Sequence, residues 1–450
     1  MRDDSFFRAR GFILLAAATL CTPVARALPS FARQTGMPCA QCHTIAFGPQ
    51  LTDYGRKFKL NGYVWGEVKK VVPSVSLMAL GGFSRTTQDQ VDPPARHFGT
   101  NDNLSLDQFS AFFGGRIAEH IGAFVQGTYS GVDRHATWDN MDIRFAGTLS
   151  VHGVGIVYGI SINNNPTVQD LWNSTPAWSF PFISSALVPR PSASPLIAGG
   201  LSQLVLGPTA YAMLNDHLYI EAGAYHGLSD RWLSNVGFTA GDSPHLEGAA
   251  PYWRVAWQVE KGENYFSVGA LGFNAKLRSD PIAPERDKFD DLGLDATFQF
   301  SDGSRNAVTA NLSFIHETQK LQASFAAGRS ASGSNHLNTA ALDVTYSYQQ
   351  TYVLGVGLFQ TQGGADSVLY APAQVIGSNN SSPDSRGYAL QFEFIPFGKI
   401  ISFARPWLNL RLGLQYTGYL GFNGGNNNYD GFGRAASDNN TLFAFAWLAI

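Results

Sequence analysis

The chain has 450 residues, of which only 14% are charged, against 44% hydrophobic and 13% aromatic. Soluble domains average about 25% charged residues, so a conventional charged surface is not expected. The formal net charge of -3 gives no basic surface for nucleic acid, and the apolar composition excludes a disordered chain and a coiled coil.

The first 27 residues have the pattern of a secretory signal peptide. Basic residues precede an apolar run at residues 12–20, and Ala25-Arg26-Ala27 forms a small-x-small cleavage site. Lipid attachment at Cys21 is disfavoured because a leucine precedes it. We therefore expect the mature chain to begin near Leu28. No later run of about 18 apolar residues is available for a transmembrane helix, so strands must meet the bilayer.

The run Cys39-Ala40-Gln41-Cys42-His43 has the spacing of covalent c-type haem attachment. Cys39 and Cys42 can bond the two vinyl groups of one porphyrin, and His43 then stands below the iron as the proximal ligand. A zinc knuckle needs four ligands where this stretch supplies three, and a redox dithiol needs a βαβ context that is absent. The sequence therefore predicts one covalently attached haem c.

The second axial ligand of the haem iron is not fixed by the motif. Met37 is too close to the cysteines to reach the far face of the ring, and Met141 lies on an apolar strand face that should point into lipid. Met78 lies on the face of its strand that points into the barrel, so it is the first candidate for the second axial ligand. Ordinary packing of Met78, a histidine such as His97 and an open position remain alternatives.

A short helix follows the haem motif. Tyr54 and Phe58 recur at helical spacing, and Gly62 fits a C-terminal stop. Residues 28–72 contain few large apolar side chains and are too short to build a core alone. We therefore expect a small helical cytochrome segment that plugs the lumen of a larger unit, residues 73–450.

The larger unit shows apolar and polar residues alternating with period two. Between residues 408 and 417, leucines alternate with polar residues such as Asn409, Arg411 and Gln415. Short turns alternate with long polar loops, whereas a soluble sandwich has short turns at both ends. The predicted long loops include residues 86–103, 228–249, 277–290, 363–385 and 421–440, and residues 442–450 suit a closing strand.

This pattern predicts an all-β fold, a transmembrane antiparallel β-barrel of about 16 strands in the outer membrane of a Gram-negative cell. An even strand number places both chain ends on the periplasmic side. The connection at residues 163–200 is rich in Trp, Phe and Pro and too apolar to lie freely in water. We expect it to fold inward or to pack at the rim, with a self-packed surface loop as the alternative.

Two stretches carry a resemblance to a known family. Residues 28–63 include the run Pro-Ser-Phe-Ala-Arg-Gln-Thr-Gly, which ends at Gly36 shortly before the haem motif, and residues 165–178 lie in the apolar connection. Here the chain resembles the fused monohaem cytochrome–porins of the outer membrane, known as iron oxidases of iron-oxidising bacteria. The resemblance implies haem c on Cys39, Cys42 and His43, extracellular Fe(II) as electron donor and a periplasmic c-type cytochrome as acceptor.

The predicted function is therefore electron transfer across the outer membrane, and the chain, if an enzyme, is an oxidoreductase of the ferrous iron:cytochrome c type. The alternatives are a porin or transporter with a haem-bearing plug, and an outward conduit to an external acceptor. An acidic group outside the barrel could attract Fe(II), although a solvated loop is the simpler interpretation. Its members are Glu285, Asp287, Asp290 and Asp291.

Overall fold

A computed structural model gives the fold of most of the chain. The described residues are 30–66, 75–238, 245–278, 285–303, 305–399, 402, 404 and 407–450. The signal peptide expected at residues 1–27 and the boundary expected between residues 72 and 73 lie outside them.

Three short helices form the N-terminal part of the described chain. They are α1 (Ser30–Thr35), α2 (Cys39–Cys42) and α3 (Asp53–Leu60). The Thr52 hydroxyl caps α3 by accepting a 3.3 Å hydrogen bond from Gly55 N, and Asp53 and Lys57 form an ion pair one turn apart. The predicted helix after the haem motif is confirmed. Within the described residues, no helix is long and apolar enough to cross a membrane.

Strands make up most of the remaining described chain, as 16 long strands and one of two residues. They are β1 (Val75–Thr86), β2 (Asn103–Ala118), β3 (Ile121–Ser130), β4 (His135–Val151), β5 (Val154–Asn163), β6 (Val205–Leu214), β7 (Leu218–Gly227), β8 (His245–Leu246), β9 (Ala249–Lys261), β10 (Asn264–Arg278), β11 (Asp287–Ser301), β12 (Asn306–Leu321), β13 (Ser334–Tyr348), β14 (Tyr352–Gly363), β15 (Ser385–Phe394), β16 (Asn409–Gly421) and β17 (Thr441–Ala449).

The strands close into one antiparallel barrel. Consecutive long strands pair with one another, and β1 pairs with β2 on one side and with β17 on the other. Met78 marks the closure, opposite Ser110 of β2 and Ala449 of β17. The prediction of an antiparallel barrel of about 16 strands, including the closing C-terminal strand, is confirmed.

The two faces of the wall differ in polarity. On β9, Trp253, Val255 and Trp257 point outward and are 38%, 43% and 44% exposed, while Tyr252 and Arg254 point inward and are buried. A soluble barrel has the opposite arrangement, because water faces its outer surface. An apolar outer face over a polar lumen is the pattern of outer-membrane barrels, so the protein spans the outer membrane of a Gram-negative cell.

Short turns connect the strands at the periplasmic end, and most of the opposite connections are longer. Two short helices lie in the long loops, α4 (Asp230–Asn235) and α5 (Gln322–Ala326). One predicted loop, residues 277–290, is shorter than expected, because β10 extends to Arg278 and Leu277 pairs with Asp287 of β11. The polar residues of this segment are typical of a loop. In the structure, however, those at alternate strand positions line the lumen, which is polar in barrels of this kind.

The connection between β5 and β6, residues 164–204, enters the lumen and is called the inward loop. Val168, Leu171 and Trp172 are at most 4% exposed. The Trp172 indole N–H donates a 3.1 Å hydrogen bond to Gln258 Oε1 on β9 and also contacts the Tyr265 hydroxyl of β10. The prediction that this connection folds inward is confirmed.

Candidate haem-binding plug

Residues 30–66, called the plug, lie inside the barrel at its periplasmic end. The plug is hydrogen-bonded to several separate parts of the wall. Its bonds include Arg116 N (β2) to Gln34 Oε1 at 2.7 Å, Tyr63 OH to Asp142 Oδ2 (β4) at 2.7 Å, Tyr211 OH (β6) to Leu60 O at 2.7 Å, Arg56 Nη1 to Gln299 Oε1 (β11) at 2.6 Å and Arg411 Nη1 (β16) to Phe47 O at 2.9 Å. The helical segment therefore occupies the lumen, as predicted.

The haem motif forms a single helical turn within the plug. Cys39 and Cys42 begin and end α2, and residues three apart lie on one side of a helix. His43 follows directly, with its backbone N–H donating a 2.9 Å hydrogen bond to Cys39 O. The two sulfur atoms and the imidazole are thus held within one turn of chain. Gln350, in the turn between β13 and β14, donates a 3.3 Å hydrogen bond to Ala40 O and fixes this turn near the periplasmic end.

The His43 side chain fits the role of an iron ligand. Burial lowers the pKa of His43 to about 4, although hydrogen bonds with the backbone of Gln50 and Gly48 act in the opposite direction. The ring is therefore neutral at physiological pH. Neutral imidazole is the metal-binding form of histidine. Its Nδ1 atom is buried, and none of the described residues forms a hydrogen bond with it.

The Cys42 thiol does not fit a redox dithiol. Burial raises the pKa of Cys42 to about 12, and neighbouring Cys39 contributes in the same direction. Redox-active cysteines instead have a lowered pKa, because the thiolate is the reactive form. In the described part of the chain, no group of three or more His, Cys, Asp and Glu residues is placed to hold a metal ion.

Cys39 packs against a buried apolar cluster, called the Cys39 cluster. It contains Met78 of β1 together with side chains from the plug and other strands, and Phe182 of the inward loop packs on it. Its members are Ile45, Ala46, Phe47, Met78, Leu80, Phe112, Ile183, Val353, Ile395, Phe443, Phe445, Trp447 and Ala449. The motif therefore faces a water-poor environment inside the barrel.

The structure separates the candidates for the second axial ligand. Met78 is 6% exposed and lies in the Cys39 cluster, so it shares an environment with the haem motif. Met141 shares the outward face of β4 with Phe145, and His97 is exposed in the loop after β1. Met78 is thus the candidate that belongs to the cluster against which Cys39 packs. Its ligation to iron stays a prediction.

The plug and the inward loop are joined by a buried lysine. Lys59 Nζ donates hydrogen bonds to Val168 O at 2.8 Å, Asp170 O at 2.6 Å and Asn173 Oδ1 at 2.9 Å. Burial, followed by the nearby Arg144 guanidinium, lowers the pKa of Lys59 to about 7. The sequence analysis did not predict this role for Lys59. A lysine in the last turn of a short helix is normally exposed to solvent, where its charge interacts favourably with the helix dipole.

Buried ion pairs line the wall around the plug. Arg144 Nε lies 2.8 Å from Asp142 Oδ2, and Arg254 Nη1 lies 2.7 Å from Asp295 Oδ2. The arginines are fully buried. Charges removed from water require such partners, and removing one partner of a buried pair costs about 3–5 kcal/mol. The polar lumen is therefore packed around the plug by specific pairs.

The acidic residues that we expected as one exposed group do not form one. Asp287 and Asp291 are 2% and 4% exposed on the lumen face of β11. Asp287 accepts a 2.6 Å hydrogen bond from Ser324 Oγ, and Asp291 accepts one of 3.1 Å from Ile197 N of the inward loop. The expectation of a solvated acidic loop is wrong for these two residues, because alternate positions of a barrel strand face the lumen.

Comparison with known proteins finds similarity in fold but not in sequence. No family model and no curated protein matches this chain. Similar solved structures are OmpT of Vibrio cholerae (11% identity, 84% of this chain, 96% of that chain, TM-score 0.42), DcaP of Acinetobacter baumannii (12%, 84%, 96%, 0.45) and Salmonella typhi OmpF in complex with daunomycin (12%, 83%, 97%, 0.46). The fold and the site together define an outer-membrane β-barrel whose lumen holds its own N-terminal helical segment.

Proposed function

We propose that this protein transfers electrons across the outer membrane through one haem c bound covalently by Cys39 and Cys42, with His43 as axial ligand. The observation that carries the proposal is the position of the Cys-x-x-Cys-His turn, which lies inside a membrane-spanning barrel and against a buried apolar cluster. The donor that we propose is extracellular Fe(II), and the acceptor is a periplasmic c-type cytochrome.

Electron transfer suits a barrel whose lumen is occupied. The apolar band of an outer-membrane barrel is about 25 Å tall, and ferric iron formed outside need not cross it if only the electron moves. The plug is bonded to strands on several sides, and Lys59 joins it to the inward loop. We therefore expect these contacts to restrict solute flow through the lumen. A haem on this turn would supply one-electron transfer.

The residues around the motif exclude water and orient the iron ligands. His43 is held neutral by burial, and the Cys39 cluster surrounds one side of α2 with aliphatic and aromatic side chains. We propose that Met78, which lies in the same cluster, would be the second residue to hold the haem iron. A thioether ligand raises the haem potential relative to a second histidine, which favours acceptance of an electron from Fe(II).

The plug's position near the short turns favours transfer toward the periplasm. Gln350 lies in one of these turns and contacts Ala40, beside Cys39. Gln41, in the middle of α2, is exposed. A soluble carrier could therefore approach α2 from the periplasm, while the outer mouth and the inward loop lie between the motif and extracellular iron.

A second candidate function is a porin or transporter with a haem-bearing plug. The closed antiparallel wall, with its apolar outer face and polar lumen, favours this function, since water-filled barrels of this size carry solutes. The plug contacts are noncovalent, so release of the plug would open the lumen. The two functions differ in conductance: an electron-transfer barrel remains closed while it is oxidised and reduced, whereas a transporter must open.

The proposal is tested by anaerobic stopped-flow absorption of the detergent-purified full chain. Addition of Fe(II) should convert the haem bands to those of the reduced form, and a c-type cytochrome added afterwards should reoxidise them. A haem that stays oxidised with Fe(II) but is reduced by dithionite would contradict iron oxidation. A strongly negative midpoint potential would instead favour electron flow toward an external acceptor.

A further inference from the structure

Trp447 carries an unsatisfied hydrogen-bond donor within the Cys39 cluster. Its side chain points into the lumen from β17 and is 9% exposed, and it belongs to the Cys39 cluster. The indole Nε1 atom is buried, and no described residue accepts a hydrogen bond from it. Buried indole N–H groups normally have a partner, and an unpaired buried donor costs about 1–3 kcal/mol.

The indole ring is held firmly in place. The Phe47 ring packs edge-on against it at 5.1 Å between centroids, and the Arg411 guanidinium carbon lies 4.8 Å from the centre of the ring. Arg411 is itself fixed by Glu393, with Nη2 2.6 Å from Oε1, and by Phe47 O. Rotation of the indole toward another acceptor would disturb these contacts. The donor is therefore aimed in a fixed direction.

The Trp447 ring contacts the plug at Phe47, and Cys39 of the haem motif packs against the same cluster. Phe47 lies four residues after His43, so the indole stands close to the chain that would hold the iron. A haem carries two propionate carboxylates at its edge, and a buried carboxylate needs hydrogen-bond donors. Indole N–H and carboxylate oxygen are complementary, because the first only donates and the second only accepts.

We infer that Trp447 Nε1 donates a hydrogen bond to a propionate carboxylate of the haem held by Cys39, Cys42 and His43. This inference rests on the proposed function. The bond orients the haem edge toward β17 and removes part of the negative charge near the iron. Loss of the donor leaves more negative charge on the carboxylate, which stabilises ferric iron and lowers the midpoint potential.

The test is resonance Raman spectroscopy of the purified, haem-loaded full chain, which reports the propionate bending band. In the unmodified protein the band should shift in D2O, because the indole proton exchanges. Trp447→Phe keeps an aromatic ring against Phe47 and Arg411 but removes the donor. This variant should have a displaced band with no D2O shift and a lower midpoint potential. Trp257→Phe is the matched control, since Trp257 points toward lipid.

The outcomes separate this inference from the proposed function. Absence of covalent haem in the unmodified protein, measured as the pyridine haemochrome, overturns the proposed function. Full haem content with the same propionate band and the same D2O shift in Trp447→Phe overturns the inference alone. Should Trp447→Phe fail to form a heat-modifiable barrel, the unmodified protein decides: a propionate band that does not move in D2O contradicts the hydrogen bond.

Discussion

Lys59 of the plug donates a 2.6 Å hydrogen bond from Nζ to the main-chain carbonyl oxygen of Asp170 in the inward loop. The two residues are 111 positions apart in the chain. Nζ also donates to Val168 O and Asn173 Oδ1, so all three ammonium donors are used. The plug and the inward loop are thereby joined into one unit inside the lumen.

Replacement of Lys59 by methionine should loosen this unit. Methionine has a side chain of similar length but cannot donate hydrogen bonds, so each of the three buried acceptors loses one donor. Leaving a buried acceptor without its donor destabilises the folded protein by about 1–3 kcal/mol. We expect faster proteolysis of the inward loop and a higher ion conductance in planar bilayers. Lys57→Met is the matched control, since the Lys57–Asp53 pair is partly exposed and helix pairs of this kind contribute about 0.2–0.5 kcal/mol. Equal conductance of the two variants would contradict the joining role.

The assignment of Met78 as axial ligand predicts a spectroscopic change in Met78→Leu. Methionine and leucine have similar volumes, and such exchanges cost less than about 1.5 kcal/mol, so the barrel should still assemble. The variant should lose the near-infrared charge-transfer band of methionine-ligated ferric haem and show a lower midpoint potential. Met37→Leu serves as control, because Met37 is 39% exposed. An unchanged spectrum in Met78→Leu would remove this assignment.

Covalent attachment of the haem predicts that removal of both cysteines abolishes haem binding but leaves the barrel folded. In the double variant Cys39→Ala, Cys42→Ala we expect no haem after denaturation and gel electrophoresis. The barrel should remain heat-modifiable, because its closure depends on strand pairing between β1 and β17 rather than on the plug. Retention of haem in the denatured double variant would show that the cofactor is attached elsewhere.

Asp366 predicts a pH dependence of the extracellular loops. Although burial raises the pKa of its carboxyl, hydrogen bonds from Ser330 Oγ and from the backbone N–H groups of Leu369, Ala331 and Val368 lower it to about 2. An aspartate in the unfolded chain has a pKa of about 3.9. The folded loops therefore bind fewer protons, and the carboxylate contributes stability above pH 3.9 that is lost as the pH falls toward 2.

Hydrogen exchange of the backbone near Ala331 and Leu369 measures this effect. Protection should decrease between pH 3.9 and 2 in the unmodified protein, after correction for the intrinsic pH dependence of exchange. In Asp366→Asn protection should already be reduced at neutral pH, with no further change in this range. The same acid dependence in both proteins would show that another group is responsible.

The barrel could be read from the sequence because its wall obeys a local rule. Tyr252, Trp253 and Arg254 alternate between lumen and lipid, and each assignment needs only the neighbouring residues. The same rule explains why Asp287 and Asp291 were wrongly predicted to lie in a solvated loop. Charged residues are typical of loops, but they also occupy the lumen-facing positions of a barrel strand.

The details of the site depend on contacts that no local pattern contains. The bonds of Lys59 join it to residues more than 100 positions away, and the Trp447 ring meets Phe47 from the opposite end of the chain. Sequence reasoning located the haem motif because Cys39, Cys42 and His43 are adjacent. It could not identify which side chains of the wall contact them.

The most direct test of the account uses proteoliposomes that contain oxidised cytochrome c inside and receive Fe(II) outside under anaerobic conditions. We predict that the enclosed cytochrome becomes reduced while the vesicles stay impermeable to small sugars, and that vesicles with the double cysteine variant show no reduction. Swelling in sugar solutions, with the enclosed cytochrome still oxidised, would contradict electron transfer and identify the barrel as a solute channel.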